Sequence, residues 1–130
     1  MFKWKDVRAQ GLQAQGPAAE DRALQELLRR GLTLVQRNYR VARGPGARGG
    51  EIDLVMLAAD GTLVFVEVRA RTCSTQGGAA ASVSAAKQRS LVFAAQHFLL
   101  RYVAPPPCRF DVVAIDGDTL QWLPAAFDGG

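Results

Sequence analysis

The sequence predicts an α/β domain, a mixed central sheet flanked by helices in the order α-β-β-β-α-β-β. Three observations predict it. Two apolar segments joined by Ala59-Asp60-Gly61 carry the clearest hairpin signal in the chain. Both are apolar at almost every position, the pattern of strands covered on both faces. A long helical pattern then separates this hairpin from the next apolar run, as a crossover connection requires.

The elements follow in order. Residues 1–17 are polar and interrupted by Gly11, Gly16 and Pro17, and read as a flexible lead-in. Residues 18–127 read as a single domain and 128–130 as a tail; a chain of 130 residues is near the usual size for one domain. In 18–30, Ala23, Leu24, Leu27 and Leu28 recur at helical spacing. Glu20 and Asp21 then fall in the first turn and Arg29 and Arg30 in the last, which suits the helix dipole, and Gly31 ends the element. Residues 32–40 read as a strand and 41–50 as a glycine- and arginine-rich loop. The hairpin strands are 51–58 and 62–69. A small-residue loop (72–84) leads to a helix over 85–102, with Leu91, Ala94, Ala95, Phe98, Leu99 and Tyr102 on its apolar face. Pro105, Pro106 and Pro107 bar its continuation. A strand at 109–115, a turn at Asp116-Gly117-Asp118 and a short strand at 120–123 complete the order.

The net charge of +4 is unevenly placed. Every charged residue from Arg29 to Arg48 is an arginine, and every one from Arg69 to Arg109 is basic. The planar fork of arginine suits phosphate, so one expected partner is a polyanion such as nucleic acid, held by Arg40, Arg43, Arg48, Arg71, Lys87 and Arg89. A solvated basic face is the plainer alternative. No apolar run is long enough to span a membrane, and the N-terminus lacks the apolar stretch of a secretory signal, so the expected location is cytoplasmic. Cys73 and Cys108 have no zinc-type spacing, and His97, the sole histidine, has no nearby ligands. Trp4, Tyr39 and Trp122 read as packing residues before base-stacking ones.

Glu51, Asp53, Glu67, Arg69 and Arg71 are the charges within the hairpin, where burial makes each of them costly. Their relation depends on the turn. A two-residue loop pairs Ala59 with Thr62 and sets Asp53 against Val68, so the acids point apart. A three-residue loop with a left-handed Gly61 pairs Ala58 with Thr62 and sets Asp53 against Glu67. Two carboxylates that close call for a cation or a shared proton between them. The pattern D-x13-E-x-R then holds the parts of metal-dependent phosphodiester hydrolysis, with Mg²⁺ or Mn²⁺ on Asp53 and Glu67 and Arg69 on the phosphate. An ion-pair cluster of Asp53 and Glu67 with Arg69 and Arg71 is the structural alternative.

GGEIDLVMLAADGTLVFVEVRART resembles the core motif of the YraN-type proteins, a bacterial family of uncharacterised function. Glu20 and Ala23, Gly31, Asn38-Tyr39-Arg40, Ala85-Ala86-Lys87-Gln88-Arg89, RFDVVAID, Trp122 and Ala126-Phe127 extend the resemblance along nearly the whole chain. That family is similar to archaeal Holliday-junction resolvases and to restriction-endonuclease-like nucleases. The resemblance implies a restriction-endonuclease-like αβββαβ core and a metal site on Asp53 and Glu67, with Arg69 where that class usually carries lysine. It adds Glu20 from the first helix as a further catalytic acid and metal ligand, and implies a homodimer by analogy with the resolvases. Glu51 is either a supporting residue or merely the start of its strand. Three functions stay open at this point: a Mg²⁺-dependent endonuclease of branched or structured DNA, a nucleic-acid-binding module with a degenerate site, and a protein-interaction domain on a nuclease scaffold.

Overall fold

The computed structural model describes residues 15–45, 49–71 and 83–128. Trp4, Arg48, Cys73, the lead-in before Gln15 and most of the 72–84 loop lie outside them, as does the side chain of Arg71. The elements are α1 (Gln15–Arg29), β1 (Thr33–Val41), β2 (Gly50–Leu57), β3 (Leu63–Arg71), α2 (Ala85–Leu99), β4 (Cys108–Asp116) and β5 (Thr119–Phe127).

The strands form one sheet in the order β1-β2-β3-β4-β5. Every neighbouring pair is antiparallel except β3–β4, which α2 connects by a crossover. This is a mixed sheet flanked by two helices, consistent with the expected αβββαβ core, with β5 added at the edge. Among the described residues no helix is long and apolar enough to cross a membrane.

The two helices cover different sets of strand side chains. Ala23, Leu24 and Leu27 of α1 pack on Leu54, Met56, Val64, Val66, Val113 and Ile115. Leu91, Ala94, Ala95 and Phe98 of α2 pack on Val55, Leu63, Phe65 and Phe110. The β2 and β3 side chains are thus buried from both sides, which explains their nearly continuous apolar sequence. Gly50 opens β2 where α2 lies closest: a Cβ there would stand 2.5 Å from the Ser90 carbonyl oxygen and 2.9 Å from the Ala94 Cβ. Gly50→Ala must push helix and strand apart, and is expected to cost about 1–3 kcal/mol in urea unfolding. An unchanged midpoint would show that the contact relaxes freely.

Several boundaries differ from the sequence reading. α1 begins at Gln15, so its first turn holds no acid. Glu20 and Asp21 are therefore not partners of the helix dipole; they face the sheet and pair with Arg37 of β1. Pro17 falls within the first turn, where a missing N–H breaks no helical bond. α2 stops at Leu99, three residues before the predicted end. Beyond it the N–H groups of Leu100, Arg101 and Tyr102 bond to carbonyls three residues back, a tightened final turn that keeps Tyr102 against the core. The apolar spacing survives this change of hydrogen bonding, so the sequence pattern runs on past the α-helix.

β5 is nine residues long, not the four expected. Its register with β4 shifts between Phe110 and Val112, and Ala125 within the irregularity takes a φ of 51°. Asp111, completely buried, fills this place. It accepts hydrogen bonds from Ala125 N (2.9 Å), Trp122 Nε1 (2.9 Å) and both Arg109 Nε (3.0 Å) and Nη2 (3.3 Å). At the opposite edge, β1 has a bulge between Leu34 and Gln36 and a left-handed Asn38 (φ 52°).

Candidate metal centre and basic pocket

The hairpin loop decides the site. Ala58 N–H donates to Thr62 O (2.9 Å) and Gly61 N–H to Ala58 O (3.0 Å), with Gly61 at φ 91°. This is the three-residue loop with a left-handed glycine. Asp60 reinforces it by accepting from Thr62 N–H at 3.0 Å. The β2–β3 register runs from Leu57↔Leu63 to Leu54↔Val66, one position short of Asp53 and Glu67. There the ladder ends, and the Asp53 carboxylate takes the Val68 N–H at 2.8 Å. A side chain thus replaces the main-chain partner at the place where the two strands part.

Two carboxyls lie near that of Asp53, Glu20 from α1 and Glu67 from β3, each close enough to feel its charge. Burial first, and then the charge of Asp53, push Glu67 up to about 8, against the pull of Lys87 and Arg69. The same two causes raise Glu20 to about 7, against Arg37. Glu67 is only 4% exposed, and its Oε1 receives no hydrogen bond. Lys87 Nζ stands 3.7 Å from Oε1, and Arg69 Nη1 stands 3.8 Å from Oε2, both beyond hydrogen-bond length. Among the described residues no three His, Cys, Asp or Glu side chains form a ready-made metal cage. The acids are linked pairwise through Asp53.

Asp53, Glu67, Arg69 and Glu20 therefore come together, while the predicted phosphate-binding residues divide. Arg43, Lys87 and Arg89 line one pocket with Arg69, and Lys87 and Arg69 also flank Glu67. Arg40 points elsewhere, pairing with Glu51 across the exposed edge (3.5 Å), and this gives Glu51 a surface role. Arg48 lies outside the described residues. Two charged residues were missed. Arg37, read only as part of a basic run, reaches Asp21 at 2.9 Å and Glu20 at 3.6 Å, and nothing in the local sequence signals it. Asp111 holds the β5 irregularity, and an acid inside the apolar run RFDVVAI was its signal. His97 is exposed, with Nδ1 3.0 Å from the Tyr39 hydroxyl oxygen.

Fold and site together define a small mixed α/β protein with a carboxylate cluster where its central hairpin splays, beside a basic pocket. The chain belongs to the uncharacterised protein family UPF0102, whose family model matches residues 19–115. It is 64% identical over 115 residues to a UPF0102 protein of Methylibium petroleiphilum, covering 88% of this chain and 94% of that one. A UPF0102 protein of Acidovorax is 62% identical over 120 residues, covering 92% of this chain and 89% of the relative. One from Cupriavidus taiwanensis is 56% identical over 128 residues, covering 98% and 93%. The YraN-type resemblance and this family membership agree.

Proposed function

We propose that the protein is a divalent-metal-dependent endonuclease acting on structured or branched DNA. The observation that carries the reading is the buried Glu67 oxygen without a hydrogen bond, set beside the Asp53 carboxylate with Lys87 Nζ 3.7 Å away. Hard oxygen donors of this kind suit Mg²⁺ or Mn²⁺, which bind through one or two carboxylates and leave room for waters and substrate. Asp53 and Glu67 would hold the ion, with Glu20 as a further ligand. Bound there, the cation would acidify a water and offset charge on the phosphodiester.

The chain's own groups have distinct tasks. Val68 N–H fixes the Asp53 carboxylate, and Arg37 holds Glu20 from the far side. Arg69 stays protonated, so it holds phosphoryl oxygen and takes no proton from water. Lys87 and Arg43 bring the backbone to the carboxylates. Two symmetric cuts on a four-way junction would require a homodimer. The reading also goes with a cytoplasmic location.

The test is incubation with four-way junction, flap and single-stranded DNA in Mn²⁺. Cleavage abolished by Asp53→Asn and by Glu67→Gln is expected, with a loss of at least about 100-fold for each. Cleavage that survives Glu67→Gln would overturn the site, and no cleavage of any substrate would overturn the activity. Arg69 in place of lysine favours a second reading, a nucleic-acid-binding module without turnover. That module would bind DNA with steep salt dependence and be indifferent to Asp53→Asn.

A further inference from the structure

The pocket beside the carboxylates is larger than a single phosphate contact needs. Its volume is about 700 Å³, inside the range of about 300–1,000 Å³ typical of small-ligand pockets. Arg43 and Gly49 come from the β1–β2 connection, Arg69 from β3, and Lys87, Arg89 and Phe93 from α2. No acid lines it. The Arg43 guanidinium lies over the Phe93 ring, 4.5 Å from its centre, so one wall is a flat cationic-aromatic surface. Lys87 is shared, since its Nζ is the group 3.7 Å from Glu67. The pocket therefore adjoins the proposed cleavage site through Lys87 and Arg69, which stand between the two.

These features suit neither a bare phosphate, which would leave the flat wall unused, nor a paired base, which a duplex keeps stacked inside its helix. They match one nucleotide unit taken out of the stack, with its phosphate among the cations and its base on a π-surface that accepts any base. We propose that this pocket binds a single unpaired nucleotide next to the bond to be cut, so that the substrate class is DNA carrying a single-stranded segment beside a duplex. The inference rests on the nucleic-acid reading above and narrows it: blunt, fully paired DNA is not the substrate.

The test is fluorescence anisotropy in EDTA, where nothing is cut, with a blunt DNA duplex and the same duplex extended by a short single-stranded overhang. The overhang is expected to tighten binding by at least about 10-fold. Arg43→Gln and Phe93→Ala are each expected to remove that preference and leave the blunt duplex affinity within about 3-fold of wild type for Phe93→Ala. Phe93 is half-buried and its replacement could unsettle α2, whereas Arg43 is exposed, so Arg43→Gln carries the test if Phe93→Ala fails to fold. Equal affinity for the two duplexes in wild type, or a preference untouched by Arg43→Gln, would overturn the pocket. Failure here is separable from failure of the endonuclease reading. A protein that prefers the overhang yet never cuts in Mn²⁺ keeps the pocket and loses the activity. One that cuts both duplexes without preference keeps the activity and loses the pocket.

Discussion

Glu67→Gln is expected to raise the melting temperature of the metal-free protein at pH 8 by roughly 5–10 °C. Glu67 has a folded-state value of about 8, above its ordinary 4.5, so folding favours its neutral form. Such a group contributes stability that is full below the ordinary value and is lost as pH rises through the folded one. Glu20, raised to about 7 beside the same aspartate, adds to the loss in the same direction. Wild-type protein in EDTA should therefore melt at progressively lower temperature between about pH 5 and 8.5. Glutamine keeps the shape and removes the charge, so the variant should follow a flatter profile, and Mn²⁺ should stabilise wild type at pH 8 but not the variant. A variant that melts below wild type at pH 8, with the same slope against pH, would mean that Glu67 serves chiefly as a structural partner of Lys87 and Arg69.

The second large effect lies at the other end of the sheet. Asp111→Ala removes the acceptor shared by Arg109, Trp122 and the Ala125 amide at a completely buried position. Breaking a buried charged network by deleting one member costs about 3–5 kcal/mol, because the remaining polar groups stay desolvated. The expected result is a fall in melting temperature of roughly 10–25 °C, measured by circular dichroism. Asp111→Asn retains one carbonyl acceptor and should lose less. Wild-type melting of Asp111→Ala would show that β5 is held by its main-chain ladder alone.

The hairpin was legible because its sequence is local. Three residues between two apolar runs, the last a glycine, allow only a few loop geometries, and one of those sets Asp53 against Glu67. The sequence could not choose between the loop lengths, since both satisfy the turn chemistry equally; the left-handed Gly61 and the Ala58–Thr62 bond decide it. Glu20 was placed by resemblance but misread physically. Its role follows from where α1 begins, and the polar residues before Ala18 carry too little apolar periodicity to mark that start. Arg37 and Asp111 were hidden for a different reason. Each makes its partners across long stretches of chain or through a strand irregularity, and no spacing rule encodes such contacts. The basic residues were correctly counted, but charge gives no direction: Arg40 and Arg43, three positions apart, serve a surface ion pair and the pocket respectively.

The two outer strands have a bearing on assembly. An open sheet normally offers its edges as templates on which another chain can add a strand. Here the bulge and left-handed Asn38 break the run of β1, and Pro124, Ala125 and the shifted register break that of β5. Neither border presents the long, flat row of donors and acceptors that strand addition requires. Growth into a continuous β-ribbon is accordingly disfavoured at both ends.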